Sequence, residues 1–222
     1  MTFRAAIFDL DGTLLDSMHI WEKVDRAFLA RRKIAVPPDY IDTISAMRLP
    51  EIADYTIERF RLRETPESIV AEWKTMAAAE YAAGIALKKH AAAYLDALKS
   101  AGVKLATATS LPSDLAEPAL KHNGVFDLFD AQCFADEVGK GKDAPDIFLL
   151  AAEKLGESPQ ACIVFEDILP AIRSAKSAGM RVYCIEDRAS ERDRGEIKKL
   201  ADGYLRDFTE APLPRQAATG RR

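Results

Sequence analysis

Several short apolar stretches of this chain are each followed, at once or after one residue, by oxygen-bearing side chains. Asp9 and Asp11 follow Ala5-Ala6-Ile7-Phe8, and Thr109 and Ser110 follow Val103 to Ala108. Asp136 and Glu137 follow Ala131 to Phe134, Glu166 and Asp167 follow Cys162 to Phe165, and Glu186 and Asp187 follow Met180 to Ile185. Taken singly, such acids are ordinary turn or helix-start residues, and Thr109 alone reads as a helix N-cap. Converging in one crevice, they would repel and raise one another's pKa unless a cation neutralised them. An all-oxygen donor set suits Mg²⁺, which is held by one or two carboxylates, water and phosphate oxygens. A carboxylate can also attack phosphorus and form an aspartyl-phosphate. Lys142, in Gly139-Lys140-Gly141-Lys142, could offset the charge of a phosphoryl group; alone it reads as a solvated loop lysine.

The elements that must position these groups alternate. Ala5 to Phe8 is a buried strand ended by a turn at Asp9-Leu10-Asp11-Gly12-Thr13. A helix bearing Tyr94, Leu95 and Leu98 stops at Gly102, one bearing Phe148, Ala152 and Leu155 at Gly156, and one bearing Ile172, Ala175 and Ala178 at Gly179. Each is followed by an apolar strand, and glycine just past a helix end is the left-handed cap. This alternation predicts a parallel sheet, with ligands beyond the carboxyl ends of its strands. Between the first strand and the rest lies a stretch with no strand signal. Asp16 or Ser17 can cap a helix whose apolar face is Trp21, Val24 and Phe28. Pro37-Pro38 breaks it, and further helices are expected near 51–61 and 67–83. The expected class is α/β: a Rossmann-like parallel sheet core, residues 1–15 and 88–210, with an inserted all-helical cap domain, residues 16–87. Residues 211–222, rich in Pro, Ala, Gly and Arg, are expected to be disordered.

Composition excludes other classes. The 31 Lys and Arg against 35 Asp and Glu give a net charge of −4, with no basic block of the kind nucleic-acid binding needs. No apolar run has the length of a membrane helix, and Asp9 and Asp11 interrupt the only apolar stretch near the N-terminus. Cys133, Cys162 and Cys184 are odd in number and lack CxxC spacing, so they read as small buried hydrophobes in a reducing, cytoplasmic protein. A monomer or weak dimer with a small-molecule partner, no nucleic acid and no membrane is expected.

Ile7-Phe8-Asp9-Leu10-Asp11-Gly12-Thr13-Leu14-Leu15-Asp16-Ser17 resembles the first motif of the haloacid-dehalogenase-like hydrolase superfamily. Lys104 to Ser110 is similar to its second motif, Gly141 to Asp146 to its third, and Ile163 to Asp167 to its fourth, in the family's order. The resemblance covers about residues 3–208, lies nearest the phosphatase and β-phosphoglucomutase-like branch, and explains the helical insertion as a small cap domain. It implies that Asp9 is the nucleophile, and that Asp11 is the acid for the leaving oxygen and then the base that activates water. It implies Mg²⁺ on the Asp9 carboxylate, the Asp11 carbonyl and Asp167, with Glu166 a ligand directly or through water. It implies phosphate contacts from Thr109, Ser110 and Lys142. Asp143 stands where the family often has proline, Ile168-Leu169-Pro170-Ala171 replaces Ser-x-x-Gly, and Lys89-His90 replaces Pro-Gly. No catalytic residue is lost.

Cap residues near the first motif are candidates for substrate contact: Ser17, His19 and Arg48, the last for a second anionic group. Trp21 is placed with them but reads as core. The expected activity is Mg²⁺-dependent hydrolysis of a small phosphomonoester, a sugar or nucleotide-related phosphate. The alternatives are a phosphosugar mutase, and a non-catalytic phospho-signalling module of the receiver type, which the long insertion and the Asp-x-Asp-Gly-Thr run disfavour.

Overall fold

The computed structural model describes residues 2–82 and 84–214, so most of the expected tail, residues 215–222, lies outside the described residues. Six strands form one parallel sheet: β1 (Ala5–Phe8), β2 (Lys104–Thr109), β3 (Ala131–Phe134), β4 (Cys162–Glu166), β5 (Arg181–Ile185) and β6 (Gly203–Leu205). Their spatial order is β3-β2-β1-β4-β5-β6. β1 is central, with Ala5 paired to Lys104 on one side and Cys162 on the other.

β1 is buried along its whole length, and β4 likewise. Both faces of a parallel sheet are covered by helices, which is why these strands are continuous apolar runs. Successive side chains still point to opposite faces. Ala6, Phe8, Ile163 and Phe165 join one core layer, and Ala5, Ile7, Cys162 and Val164 join the other. On the first face the Phe8 and Phe165 rings stack at 4.8 Å, and Tyr94 meets Phe165 edge-on at 5.4 Å. Cys133, Cys162 and Cys184 are free thiols buried in the second layer.

The helices between β1 and β2 are α1 (Met18–Arg31), α2 (Tyr40–Ile44), α3 (Leu49–Phe60), α4 (Pro66–Ala82) and α5 (Ala91–Ser100). Later come α6 (Ser113–His122), α7 (Ala135–Val138), α8 (Asp146–Leu155), α9 (Leu169–Ser177) and α10 (Arg194–Leu200). α1 buries Ile20, Val24, Phe28 and Leu29, while Trp21 lies half-buried at the edge of that face. Trp73 of α4 packs on Phe28 at 5.1 Å. The chain leaves the sheet after Leu15 and returns at Leu87, and the two crossings are bonded together. Asp16 N–H donates to the Ala86 carbonyl (3.0 Å), and Lys88 N–H to that of Leu14 (2.8 Å). Of the segment read as a tail, residues 211–214 are described, and Tyr94 Oη donates to the Pro212 carbonyl at 2.7 Å.

Candidate active site

The turn after β1 is tightly wound. Asp9 N–H continues the ladder to the Phe165 carbonyl (3.0 Å), and the amides of Thr13, Leu14 and Leu15 converge on the Leu10 carbonyl. Gly12 sits at φ +81°, where a Cβ would lie 2.4 Å from Asp167 Oδ2. Only glycine permits both that backbone and that approach.

Three buried acids meet here. Asp9, Glu166 and Asp167 each offer a carboxylate oxygen within 4.8 Å of the others. Lys142 Nζ donates to Asp9 Oδ1 and to Glu166 Oε1. Glu166 Oε2 accepts the amides of Asp167 (2.8 Å) and Ile168 (3.1 Å), so both of its oxygens are engaged. Asp167 Oδ1 accepts from Thr13 Oγ1 at 3.3 Å, and its Oδ2 is buried with no partner among the described residues. Burial, above all, pushes the Asp9 carboxyl up to about 7; Lys142 opposes this, and Glu166 and Asp11 add to it. Burial, then Glu166 and Asp9, drives Asp167 well above the carboxylate range. Burial acts against the charged Lys142, but Asp9 and Glu166 outweigh it and hold the ammonium protonated. One fixed cation thus faces three acids. An all-oxygen set with a buried, unpartnered carboxylate oxygen fits a divalent cation.

Lys142 lies on the loop between α7 and α8. Ser174 Oγ donates to its carbonyl at 2.6 Å, and its own N–H donates to the Ala46 carbonyl, from the loop between α2 and α3, at 3.0 Å. That carbonyl would lie 2.5 Å from a Cβ at Gly141, so glycine before the lysine admits the contact.

The Asp11 side chain is held apart from this cluster. Its Oδ1 accepts from Ser17 Oγ (2.5 Å) and Tyr81 Oη (2.5 Å), and its Oδ2 from Trp21 Nε1 (3.0 Å). Burial raises its pKa, and these three donors pull the other way. Ser17 does precede α1, but its hydroxyl serves Asp11 and not the helix start. At the end of β2, Thr109 Oγ1 accepts the Leu111 amide (3.0 Å), which leaves its proton available, and Ser110 Oγ is buried without a partner among the described residues.

These groups open onto a cavity of about 720 Å³. Asp9, Asp11, Thr109, Ser110, Lys142, Glu166 and Asp167 line it from the sheet. His19, Trp21, Glu22, Asp25, Met47 and Trp73 are among its walls from the helical segment. Arg48 is not brought there: it pairs with Glu51 (2.9 Å) and Asp136 (3.3 Å), because it starts α3 beside its own first-turn acid. Of the other strand-end acids, Asp187 lines the cavity and accepts from Lys88 Nζ at 2.5 Å. Asp136 is exposed, Glu137 pairs with Lys154 (2.6 Å), and Glu186 pairs with Arg194. Sequence reasoning missed Tyr81, 70 residues from Asp11, and the Ala46 carbonyl; no local pattern marks either. Thr13 stood in the quoted motif without a role.

A family model described as haloacid dehalogenase-like hydrolase matches residues 3–179. The phosphorylated carbohydrates phosphatase of Thermotoga maritima is 31% identical over 90% of this chain and 88% of its own. The fructose-1-phosphate phosphatase of Escherichia coli is 32% identical over 80% of this chain and 94% of its own. The crystal structure of β-phosphoglucomutase from Clostridium difficile superposes with a TM-score of 0.81 over 95% of this chain and 94% of that one; at 21% identity it speaks to the fold.

Proposed function

The chain belongs to the haloacid dehalogenase-like hydrolases, and from that premise we propose that it is a Mg²⁺-dependent phosphatase of a small phosphorylated metabolite, a sugar or nucleotide-related phosphate. The observation that carries this reading is the buried constellation of Asp9, Lys142, Glu166 and the unpartnered Asp167 Oδ2, opening with Asp11 onto one cavity.

Asp9 attacks phosphorus and becomes the aspartyl-phosphate. Lys142, already on Asp9, meets the transferring group with positive charge, and the Thr109 and Ser110 hydroxyls donate to its oxygens. Asp11 protonates the leaving oxygen and then takes the proton of the attacking water. Phosphoryl transfer is governed by positioning and charge stabilisation, which fixed donors of this kind provide. The Asp9 carboxylate, the Asp11 backbone carbonyl and Asp167 would hold the cation, with Glu166 orienting Lys142 and reaching the cation directly or through water. Bound there, the cation supplies charge neutralisation for the phosphoryl oxygens and lowers the pKa of the acids around it. The helical segment, residues 16–87, serves as a cap that walls off water.

A monophosphate fits better than the bisphosphate a mutase must hold. Among the described residues, α1–α4 and their loops line the cavity with Glu22, Asp25 and Asp42 and with no Lys or Arg; the arginines there, Arg188 and Arg192, come from the segment after β5. The names of the two phosphatases above direct the first assays to phosphorylated carbohydrates. Inorganic phosphate release should be measured with Mg²⁺ over sugar, hexitol and nucleotide monophosphates. Release on a few of them, stopped by EDTA, supports the reading. No release, with isomerisation primed by a sugar bisphosphate, replaces it with the mutase, and a stable phosphoprotein without turnover replaces it with the signalling module.

A further inference from the structure

We propose that Tyr81 and Trp21 are positioning residues of this reaction, aiming the Asp11 carboxyl group so that its Oδ2 edge gives the proton to the leaving oxygen; the inference rests on the phosphatase reading above. A carboxyl oxygen has two lone-pair sites in its plane. Asp11 Oδ1 has both filled, by Ser17 Oγ and Tyr81 Oη, each at 2.5 Å. Oδ2 has one filled, by Trp21 Nε1 at 3.0 Å. Asp11 can therefore carry a proton without losing a bond at one place only, the remaining site on Oδ2.

Trp21 does a second thing. Its N–H also lies 3.1 Å from Tyr81 Oη, so the phenol accepts from the indole while donating to Asp11. The tyrosine hydroxyl is thus fixed in rotation by the tryptophan, and the Asp11 carboxyl plane by both. Tyr81 is 2% exposed and is not among the residues lining the cavity, and its hydroxyl is bonded to Trp21 and Asp11. Its phenol at this site does work that a phenylalanine of the same shape could not.

In the step concerned, an Asp9 oxygen forms a bond to phosphorus and the ester P–O bond breaks. The electron pair of that bond stays on the leaving oxygen, which takes the proton from Asp11 Oδ2. Tyr81 and Trp21 keep their own protons throughout.

The test separates aim from fold by leaving-group dependence. A basic alkoxide needs the proton as it departs; p-nitrophenolate does not. Because kcat/KM includes steps only up to alcohol departure, it isolates this proton transfer. It should be measured with Mg²⁺ on p-nitrophenyl, phenyl and benzyl phosphate for wild type, Tyr81→Phe and Trp21→Phe, with Asp11→Asn as the limit. A positioned acid contributes roughly 10²–10⁴-fold. Both variants should lose about tenfold or more on benzyl phosphate and less than about threefold on p-nitrophenyl phosphate, a steeper dependence in the direction of Asp11→Asn. Equal losses on all three compounds, or none, overturn the inference. Should Tyr81→Phe not fold, Trp21→Phe, at a half-buried position, decides alone. A wild type that releases phosphate from no compound overturns the phosphatase reading and this inference with it; an active wild type with parallel losses overturns this inference only.

Discussion

Lys142→Met removes the ammonium from Asp9 and Glu166 and leaves an unbranched apolar side chain one atom shorter. Its Nζ serves Asp9 and Glu166 together, and the lysine, aspartate and glutamate side chains are 5%, 6% and 0% exposed. Breaking a buried pair by deleting one partner costs about 3–5 kcal/mol, because the charge left behind cannot be solvated. In a domain of this size each kcal/mol moves the melting temperature by roughly 2–4 °C, so a fall of about 6–20 °C at pH 8 follows. The deficit depends on pH in a fixed direction. Asp9 already titrates near 7 with the lysine present, chiefly through burial, and Asp167 is raised too. Acids with raised values favour the fold when protonated, in full below the ordinary carboxylate range, and lose that contribution as pH rises through their folded values. Lys142→Met should therefore be closest to wild type near pH 5 and fall behind through pH 7 to 8. Thermal unfolding followed by circular dichroism at several pH values measures this. A melting temperature within ~2 °C of wild type at pH 8, or a deficit that grows toward acid, would show that the ammonium does not hold these acids in the fold.

Asp25, half-buried in the cavity wall, is raised to about 7 by burial and then by Glu22; Asp25→Asn should stabilise the protein at pH 8, by up to ~4 kcal/mol, and have little effect near pH 4, as read by urea unfolding. Saturating Mg²⁺ should raise the wild-type melting temperature; at a hundred times Kd the gain is ~2.7 kcal/mol, and Asp167→Asn should abolish most of it. Gly12→Ala places a methyl group 2.4 Å from Asp167 Oδ2 on a backbone at φ +81°, so it should reduce both the Mg²⁺-induced shift and turnover at least tenfold, measured by titration and phosphate release.

The parts legible in sequence were those set by local chemistry. β1 and β4 read as strands because burial on both faces demands an apolar run, and glycine stops marked α5, α8 and α9. The three-residue β6 and the proline-containing α6 carry too little pattern to stand out. Asp9, Asp11, Lys142, Glu166 and Asp167 were visible because each follows a strand or stands in a compact motif, and the structure brings all five to one cavity. Long-range contacts were not. Arg48 offered a free cation in sequence, yet Glu51 three residues on and Asp136 across the fold absorb it. Tyr81 resembled any aromatic residue ending an apolar helix, and its meeting with Asp11 depends on where α4 lands. Trp21 reads as core from its helical spacing and does pack against that core, but its half-buried place puts the indole N–H on Asp11.

The proposed chemistry turns on Asp9 carrying the phosphoryl group. The most direct measurement is acid quenching of the enzyme during turnover with Mg²⁺ and a hydrolysed monophosphate, followed by mass mapping of the peptide containing Asp9, with Asp9→Asn run in parallel. A phosphoryl group on Asp9, together with a folded Asp9→Asn variant that releases no phosphate, is the predicted result. Undiminished phosphate release by Asp9→Asn would contradict it.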